Sequence, residues 1–480
     1  MSISVITIFF ILLTMATSSS FCLQGLEAIQ MAQNQIAQVR NWATQTLQDD
    51  DSNHVSVPFN DCVKLYSESE FRLSQLLASE NYTRDDTRTW LSGVLANHKT
   101  CLNGLNEKGF LQTQPITRNL TFWLNEALAF YRKGRGKRNV PLPGRPINNH
   151  GGGILTSWDP ATSKADFTVA RDGSGTHRTI NDAVAALNRM VKGRSQRIII
   201  HVKAGVYNEK VEIEKHHHDV MLVGDGIGKT IITGSRNVRD GDSTLSSATF
   251  GVSGDGFWAR DITFENIAGP NKHQAVALRV SADRSVFYRC SIQAYQDTLY
   301  VHSLRQFYRD CQIYGTVDFI FGDASVIFQN CDIFVKRPMN GQTNYITAQG
   351  RDNPNEITGI SIHRSRVRPS PDFVAVKGSF KTFLGRPWKK YSRTVFMQTD
   401  LDGLIDPVGW GKWGGNFALS TLFYAEYMNT GNGASTTRRV KWPGFHVFNS
   451  PEQALPFSVN RFIQGESWIP GSGVPCWLEI

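Results

Sequence analysis

The chain has 480 residues, a formal net charge of +9 and an ordinary globular composition, with 41 glycines and 18 prolines. This excludes a fibrous or largely disordered chain, and the length allows more than one domain and a large core. The charge favours an acidic partner, such as nucleic acid, anionic lipid or an acidic polysaccharide, without selecting among them. The 28 phenylalanines and 11 tryptophans suit a stacked β core or a carbohydrate-binding surface.

The N-terminus carries a short apolar run, ITIFFILL, followed by small polar residues. The run is too short to span a bilayer comfortably, so we expect residues 1–22 to be a secretory signal peptide, with a buried strand as the alternative. Sequons at Asn81 and Asn119 fit the secretory route and are candidate glycosylation sites. No other stretch predicts a membrane span, and no membrane partner is expected.

Residues 23–131 are predicted to form a small all-α helical bundle, because apolar residues recur at helical spacing and glycine is scarce. The next segment, residues 132–164, is basic and then rich in proline and glycine, which indicates a linker. Within it, residues 135–138 (RGKR) fit an R-x-K-R processing site. A solvated basic linker is the alternative interpretation.

The seven cysteines are an odd set, and Cys22 falls at the end of the predicted signal peptide. Cys62 and Cys101 lie in one helical region and could pair. We expect some of the others to pair if the chain is secreted, although their spacing does not give the connectivity. These others are Cys290, Cys311, Cys331 and Cys476.

Residues 165–480 consist of short β-branched runs broken by glycine, asparagine and aspartate. The phrases FYRCSI, FYRDCQI and FQNCDI are variants of one repeat, and their cysteines recur at almost equal intervals. A repeat of this size with short strands predicts a parallel β-solenoid, an all-β domain in which each coil stacks on the previous one. A leucine-rich horseshoe is the alternative, and its leucine and asparagine ladder is absent.

The same period relates two acidic residues. The step from Cys290 to Cys311 also carries Asp297 in YQDTLY onto Asp318 in GTVDFIFG. We expect these aspartates to stack on neighbouring coils with their carboxylates roughly 4–7 Å apart. At that distance, two negative charges repel, so one carboxyl group keeps its proton while the other is ionised. The pair would then supply an acid and a base or nucleophile. The alternative is a pair of structural aspartates.

Other polar residues are candidates for the same site. Gln296 adjoins Asp297, Gln274 lies one coil earlier, and side-chain amides can donate to a developing oxyanion. In FLGRPW, Arg386 could pair with a carboxylate and Trp388 could stack on a sugar ring. Taken singly, each of these residues is more often structural.

Together these motifs resemble plant pectin methylesterases, also called pectinesterases. The resemblance covers residues 165–480 through ADFTVARDGSGTHRTINDAV, GVYNE, QAVALR, YQDTLY, GTVDFIFG, LGRPW and GWGKWGGNFALSTLFYAEY. The helical region resembles the inhibitor-type pro-region of these enzymes, mainly through DCVKLY and the cysteine spacing. The resemblance implies a right-handed parallel β-helix and a secreted cell-wall enzyme, acting as a monomer without cofactor or metal. It would hydrolyse the methyl esters of homogalacturonan, and a proteinaceous inhibitor is a further expected partner.

The resemblance also implies residue roles. Asp318 would be the nucleophile, and Asp297 the proton donor and then the base. Gln274 and Gln296 would stabilise the oxyanion, with Gln274 also contacting substrate. Arg386 would keep Asp318 ionised and contact substrate, and Trp388 would bind the sugar chain.

The chain departs from the family pattern at several positions. A second N-terminal cysteine of the inhibitor-type region is missing, and Asp323 stands where asparagine is common. Ser365 stands at the position of a possible cysteine partner for Cys331, and Cys476 stands where an aromatic residue is expected.

Three other signals are interpreted without function. His216–His218 is interpreted as a polar turn rather than a metal site, and GDGIGKT (224–230) as a turn between coils rather than a phosphate loop. Basic charge without a recognised motif does not predict nucleic-acid binding. Two alternatives to the esterase remain at this point: a catalytically silent pectin-binding or inhibitor-like wall protein, and another β-helix enzyme that cleaves the polymer.

Overall fold

A computed structural model describes residues 4–49, 56–79, 82–110, 115–132, 153–190 and 196–480, with side chains described from residue 24 onwards. The chain divides into two compact units, Met1–Asn139 and Val140–Ile480. The predicted processing motif at residues 135–138 lies outside the described residues. None of the described helices combines the length and apolar character needed to cross a bilayer.

The first unit is the predicted helical bundle. Its helices are α1 (Ser4–Asp49), α2 (Ser56–Ala78), α3 (Arg84–Glu107) and α4 (Pro115–Arg132). A disulfide between Cys62 and Cys101 joins α2 to α3, and Leu65, Tyr66 and Leu73 of α2 are fully buried. Helix α3 begins with a capping box, in which Thr83 and Asp86 satisfy each other's backbone N–H groups. Helix α1 includes most of the predicted signal peptide, residues 1–22. Cleavage is not visible in a structure, so the signal peptide remains a prediction.

One of the two candidate glycosylation sites lies among the described residues. Asn81 lies outside the described residues. Asn119 is exposed on α4, where the hydroxyl of Thr121 in its sequon donates to the Thr117 carbonyl within the helix. Glycosylation of both residues stays a prediction.

The second unit is built from short strands and a few short helices. The helices are α5 (Ile154–Ser157), α6 (Ile180–Leu187), α7 (Pro371–Val374), α8 (Pro451–Ala454) and α9 (Val459–Ile463). The strands are β1 (Phe167–Val169), β2 (Ile198–Val202), β3 (Gly205–Asn208), β4 (Val211–Ile213), β5 (Val220–Gly224), β6 (Thr230–Gly234), β7 (Phe250–Val252), β8 (Trp258–Arg260), β9 (Thr263–Asn266), β10 (Leu278–Val280), β11 (Ser285–Tyr288), β12 (Ser291–Gln293), β13 (Leu299–Val301), β14 (Arg305–Arg309), β15 (Gln312–Gly315), β16 (Ile320–Gly322), β17 (Ser325–Gln329), β18 (Asp332–Val335), β19 (Asn344–Gln349), β20 (Gly359–His363), β21 (Arg366–Pro369), β22 (Thr382–Gly385), β23 (Arg393–Met397), β24 (Asp400–Leu401), β25 (Phe423–Tyr427) and β26 (Phe445–Val447).

These strands form three parallel sheets. Sheet 1 has the order β1-β2-β5-β8-β11-β14-β17-β20-β23-β25-β26, sheet 2 the order β22-β19-β16-β13-β10-β7-β4, and sheet 3 the order β24-β21-β18-β15-β12-β9-β6-β3. A full coil contributes one strand to each sheet in the sequence sheet 1, sheet 3, sheet 2, as β14, β15 and β16 do. The predicted all-β, right-handed parallel β-helix is confirmed.

The corner between sheets 1 and 3 explains why the repeat carries polar residues at fixed positions. Arg289, Asp310 and Asn330 on successive coils have φ of 51°, 53° and 55°, in the left-handed region. Aspartate and asparagine tolerate this conformation better than most residues, because their short polar side chains can hydrogen-bond locally. The corner therefore turns the chain at the same place in each coil.

The interior of the β-helix is a set of stacked side-chain columns. Phe287, Tyr308 and Phe328 stack with centroid separations of 4.8 and 4.7 Å, each one coil after the last. Cys290, Cys311 and Cys331 follow these strands and form a buried column of free thiols. The repeat seen in the sequence is therefore the vertical stacking of the core.

The expectation that some of these cysteines pair is wrong, because Cys290, Cys311, Cys331 and Cys476 are all free and buried. Equivalent side chains on parallel strands point the same way, about 4.8 Å apart, whereas a disulfide needs Cβ atoms about 3.8 Å apart and turned toward each other. The Cys311 thiol instead donates to the Phe287 carbonyl at 3.4 Å, and burial raises its pKa. Ser365 continues this column, and its hydroxyl accepts the Cys331 N–H at 3.1 Å.

The end of the predicted linker packs on the β-helix. Leu155 of α5 and Trp158 are buried in the apolar cluster outside sheet 1. Arg260 of β8 donates hydrogen bonds to the carbonyls of Leu155, Thr156 and Trp158. The segment predicted as linker (132–164) therefore includes residues that belong to the packed body.

Two buried acids lie close together in the β-helix: Asp323, just after β16, and Glu356, in the loop between β19 and β20. Asp323 accepts hydrogen bonds from Thr358 and Gln349, and Glu356 accepts the backbone N–H groups of residues 352 and 353. Burial raises the pKa of Asp323 to about 6, although the hydroxyl of Thr358 opposes this. Burial also raises the pKa of Glu356, and the charge of Asp323 adds to the effect. The two carboxyls therefore hold one proton between them across part of the acidic range.

We expect this pair to make the β-helix more stable in acid. Asp323 has a folded-state pKa above its unfolded value, so its stabilising contribution is complete below about pH 4 and is lost as the pH rises through about 6. In an Asp323→Asn variant, the unfolding free energy relative to the wild type should rise by about 2 kcal/mol between pH 4 and pH 7. Denaturant unfolding of the full chain across that range measures it. Asp310→Asn is the control, and parallel stability curves for the wild type and Asp323→Asn would contradict the assignment.

Candidate active site

The corner between sheets 3 and 2 carries the two predicted catalytic aspartates. Asp297 precedes β13 and Asp318 precedes β16, and the two strands pair so that Leu299 lies beside Ile320. This register gives both aspartates the same position on adjacent coils. They are 7% and 6% exposed, with φ of 62° and 51°. Two buried non-glycine residues in left-handed backbone conformation at one corner indicate a specialised site.

Backbone hydrogen bonds hold these corners together. The Asp297 N–H donates to the Val317 carbonyl at 3.0 Å, next to Asp318. Gln274, one coil earlier, forms a parallel bridge with Gln296, which adjoins Asp297, and the N–H of Ala275 donates to the Gln296 carbonyl. The two glutamines and two aspartates thus occupy three consecutive coils at one edge of sheet 2.

Asp318 forms a bidentate ion pair with Arg386, which follows β22 of the same sheet. The guanidinium Nε and Nη2 atoms donate to the two carboxylate oxygens at 2.8 and 2.6 Å. Burial raises the pKa of Asp318, and the ion pair with Arg386 opposes that rise. Burial lowers the pKa of Arg386, but the hydrogen bonds and charge of Asp318 outweigh it and leave that pKa raised. A carboxylate in this setting is dry, oriented and poised to ionise.

Two aromatic rings that the sequence analysis did not single out contact Arg386. Its Cζ lies 4.2 Å from the ring centroid of Tyr345 and 4.5 Å from that of Trp413, which is 41% exposed. Trp413 belongs to GWGKWGG, a motif in which the tryptophan could have been noticed. Tyr345 follows a loop of irregular length, and nothing in the sequence marks it.

Trp388 lies two residues beyond Arg386 and packs edge-on against Phe321, with ring centroids 6.0 Å apart. Gly350 makes room for its indole, because a Cβ there would come within 2.9 Å of the ring. Lys389 lies over the same ring at 5.4 Å. Trp388 is partly exposed, so it presents an aromatic surface near the ion pair.

The six predicted site residues lie at the ends of sheet 2 strands, where Asp318 and Arg386 are in direct contact and Trp388 packs against Phe321 of β16. They supply a buried carboxylate on a guanidinium, a second carboxyl group, two amides and an aromatic surface. This set can perform nucleophilic and acid–base chemistry on a carbonyl group without any redox step.

The motifs interpreted as turns are turns in the structure. His216 and His217 both direct Nε2 toward the Asn188 side-chain oxygen, at 3.0 and 2.9 Å. Within residues 196–480, GDGIGKT connects β5 to β6 and carries no regular helix after it.

Comparison with known proteins identifies this arrangement. The family profile described as Pectinesterase matches residues 166–466, which is more than half of the chain. The chain belongs to the pectinesterase family. The predicted assignment to an esterase of this family is confirmed, which disfavours the β-helix enzymes that cut the polymer. A second profile, described as plant invertase/pectin methylesterase inhibitor, matches residues 17–128 of the helical unit.

Individual relatives agree with the family match. A probable pectinesterase/pectinesterase inhibitor 36 of Arabidopsis thaliana is 56% identical, over 98% of this chain and 97% of its own. Pectinesterase 2 of Citrus sinensis is 50% identical, over 87% and 81%. The solved structure of a pectin methylesterase from carrot is 52% identical with a TM-score of 0.65, covering 67% of this chain and 100% of its own.

The ion pair makes a direct prediction for the Asp318 carboxyl. Arg386→Gln should raise the Asp318 pKa, because it removes the cation that opposes the effect of burial. The measurement is a carboxyl 13C NMR titration of aspartate-labelled protein, with the Asp318 signal assigned by its loss in Asp318→Asn. Arg386→Lys, which keeps a positive charge, should shift the pKa less. Equal titration curves in all three proteins would contradict the pairing.

Proposed function

We propose that the chain is a secreted cell-wall enzyme that hydrolyses methyl esters of homogalacturonan to pectate and methanol. The observation that carries the proposal is the buried Asp318, ion-paired with Arg386 and one coil away from Asp297. Membership of the pectinesterase family gives the reaction class. The assignment of roles to individual residues is part of the proposal.

In the first step, a carboxylate oxygen of Asp318 attacks the ester carbonyl carbon of a methylated galacturonate unit. The carbonyl π electrons move to oxygen, where the amides of Gln274 and Gln296 donate to the developing oxyanion. As the oxyanion collapses, the bond to methoxide breaks and Asp297 donates a proton to it. Methanol leaves, and the acyl group stays on Asp318 as an anhydride.

In the second step, Asp297, now ionised, accepts a proton from water as that water attacks the acyl carbon. The bond to Asp318 breaks, which regenerates its carboxylate and releases the sugar unit as a carboxylic acid that then loses its proton to solvent. Asp297 ends protonated, as it began. Arg386 stays paired with Asp318 when it is ionised, so the cation orients the nucleophile and stabilises it as leaving group.

Substrate would lie over the part of sheet 2 that carries these site residues. Trp388 offers an aromatic face for a sugar ring, and Gln274 and Arg386 offer hydrogen-bond donors to the chain. The net charge of +9 suits a product that gains one carboxylate for each methyl ester hydrolysed. Binding to the product should therefore weaken as salt is added.

The wider setting is proposed on the same basis. The helical unit resembles an inhibitor-type pro-region, so a proteinaceous pectinesterase inhibitor is the expected protein partner. We propose that the enzyme acts as a monomer, without cofactor or metal and without a nucleic-acid or membrane partner. The apolar N-terminal run and the sequons at Asn81 and Asn119 support secretion, glycosylation and a cell-wall location.

The test is methanol release from highly methylated pectin, with viscosity followed in the same tube. The full chain and residues 139–480 are assayed beside Asp318→Asn, which should lose activity by at least about a thousandfold because an amide is no nucleophile here. Asp310→Asn is the matched control, since Asp310 has the same left-handed backbone at another corner. It should keep wild-type activity.

The outcomes separate the candidate functions. Methanol release at unchanged viscosity, lost only in Asp318→Asn, supports the esterase and its nucleophile. No methanol from a folded protein that still binds pectin favours a silent wall-binding protein. Falling viscosity points to an enzyme that cuts the polymer.

A further inference from the structure

Tyr345 contacts Arg386 through its ring and the chain on either side of Asp318 through its backbone. Its backbone N–H donates to the Thr316 carbonyl at 3.1 Å, and its carbonyl accepts the Phe319 N–H at 3.3 Å. These two bonds lie on either side of Asp318. Its ring lies 4.2 Å from the Arg386 guanidinium carbon. One residue of β19 thus connects the corner that carries the carboxylate to the cation that binds it.

The ring of Tyr345 is itself held in place. It stacks on Phe383 of β22 with centroids 5.4 Å apart and an interplanar angle of 23°. On another side it lies against Gly411, where an added Cβ would approach the ring to 2.4 Å. The ring is therefore held by a stacked neighbour, and a side chain at position 411 would displace it.

Arg386 needs such a support. Its side chain is long and rotatable, and its partner sits in a corner with unusual backbone geometry. A planar guanidinium that stacks on a fixed ring loses less conformational freedom when it forms two parallel hydrogen bonds than one that moves freely. The backbone N–H of Arg386 donates to the Thr347 carbonyl, two residues from Tyr345 on the same strand. Strand β19 therefore positions both the backbone and the guanidinium group of Arg386.

We propose that Tyr345 is a positioning residue for the esterase reaction, whose ring fixes the Arg386 guanidinium against the Asp318 carboxylate. The proposal rests on the proposed function for its meaning in catalysis, and on the contacts above for its geometry. It assigns no contact between Tyr345 and substrate. Loss of the ring should loosen the ion pair, so that Arg386 opposes the effect of burial on Asp318 less well.

The test compares Tyr345→Leu with Tyr345→Phe in the full chain. For Tyr345→Leu we expect kcat for methanol release to fall about tenfold, with KM changed by less than about twofold. The acid limb of the kcat/KM profile should move to higher pH, because a more weakly paired Asp318 ionises later. Tyr345→Phe keeps the ring and should follow the wild type in both measurements.

The same variants are titrated by carboxyl 13C NMR, which needs no turnover. A raised Asp318 pKa in Tyr345→Leu, absent from Tyr345→Phe, supports the positioning role. An unchanged pKa in folded Tyr345→Leu overturns it, and equal shifts in both variants assign the effect to the hydroxyl and overturn the role of the ring. If the wild type releases no methanol, the proposed function fails, while this titration still decides the contact.

A second variant keeps the test decisive if Tyr345→Leu does not fold. Gly411→Ala retains Tyr345 and displaces its ring, because the new methyl group would overlap it. It should raise the Asp318 pKa in the same direction. Gly414, in the same loop, has nothing within 4 Å of an added Cβ, so Gly414→Ala is the matched control and should titrate like the wild type. Identical curves for the two alanine variants overturn the proposal.

Discussion

Parallel backbone pairing between successive coils is the constraint on which the rest of the β-helix depends. Each strand hydrogen-bonds to its equivalent in the coils before and after it, so a residue and its counterpart one period later must occupy the same place. In the core this produces columns of like side chains, such as Phe287, Tyr308 and Phe328. At the corner between sheets 3 and 2 it produces a column of polar residues instead. The site is thus a product of the stacking that also builds the core.

Placing charged groups in such a column is costly unless each charge has a partner. Asp318 is nearly inaccessible to solvent, and its stability as an anion depends on the two hydrogen bonds from Arg386. Asp323 and Glu356 solve the same problem differently, because they share a proton rather than a cation. The first arrangement pairs a carboxylate with a cation that favours its ionised form, whereas the second favours protonation and is most stable in acid. Asp318 and Asp323, on either side of one short strand, therefore respond to pH by separate mechanisms.

The position of the two aspartates could be predicted from the sequence, because the repeat keeps a constant length in that part of the chain. Asp297 and Asp318 could be related because β13 and β16 are consecutive in sheet 2 and a single coil without insertions separates them. Tyr345 could not be found in this way. Its strand, β19, pairs with β16 on one side and β22 on the other, and longer loops precede both β19 and β22. These loops break the period, and only the folded chain shows which residues become neighbours. The expected cysteine pairing failed for a different reason, because stacking at almost equal intervals makes the three side chains point the same way and too far apart for a disulfide.

The column of free thiols also constrains how the chain reaches its fold. The described cysteines include two that form a disulfide and four that do not. Before folding, any of these six could combine, in fifteen complete pairings, and a parallel β-helix closes slowly because its contacts are distant in sequence. In an oxidising compartment, the thiols of Cys290, Cys311 and Cys331 survive only if their coils close over them before an oxidant arrives. Burial therefore protects these thiols from oxidation as well as filling the core. A chain that folds slowly would form non-native disulfides, which would prevent it from reaching this fold.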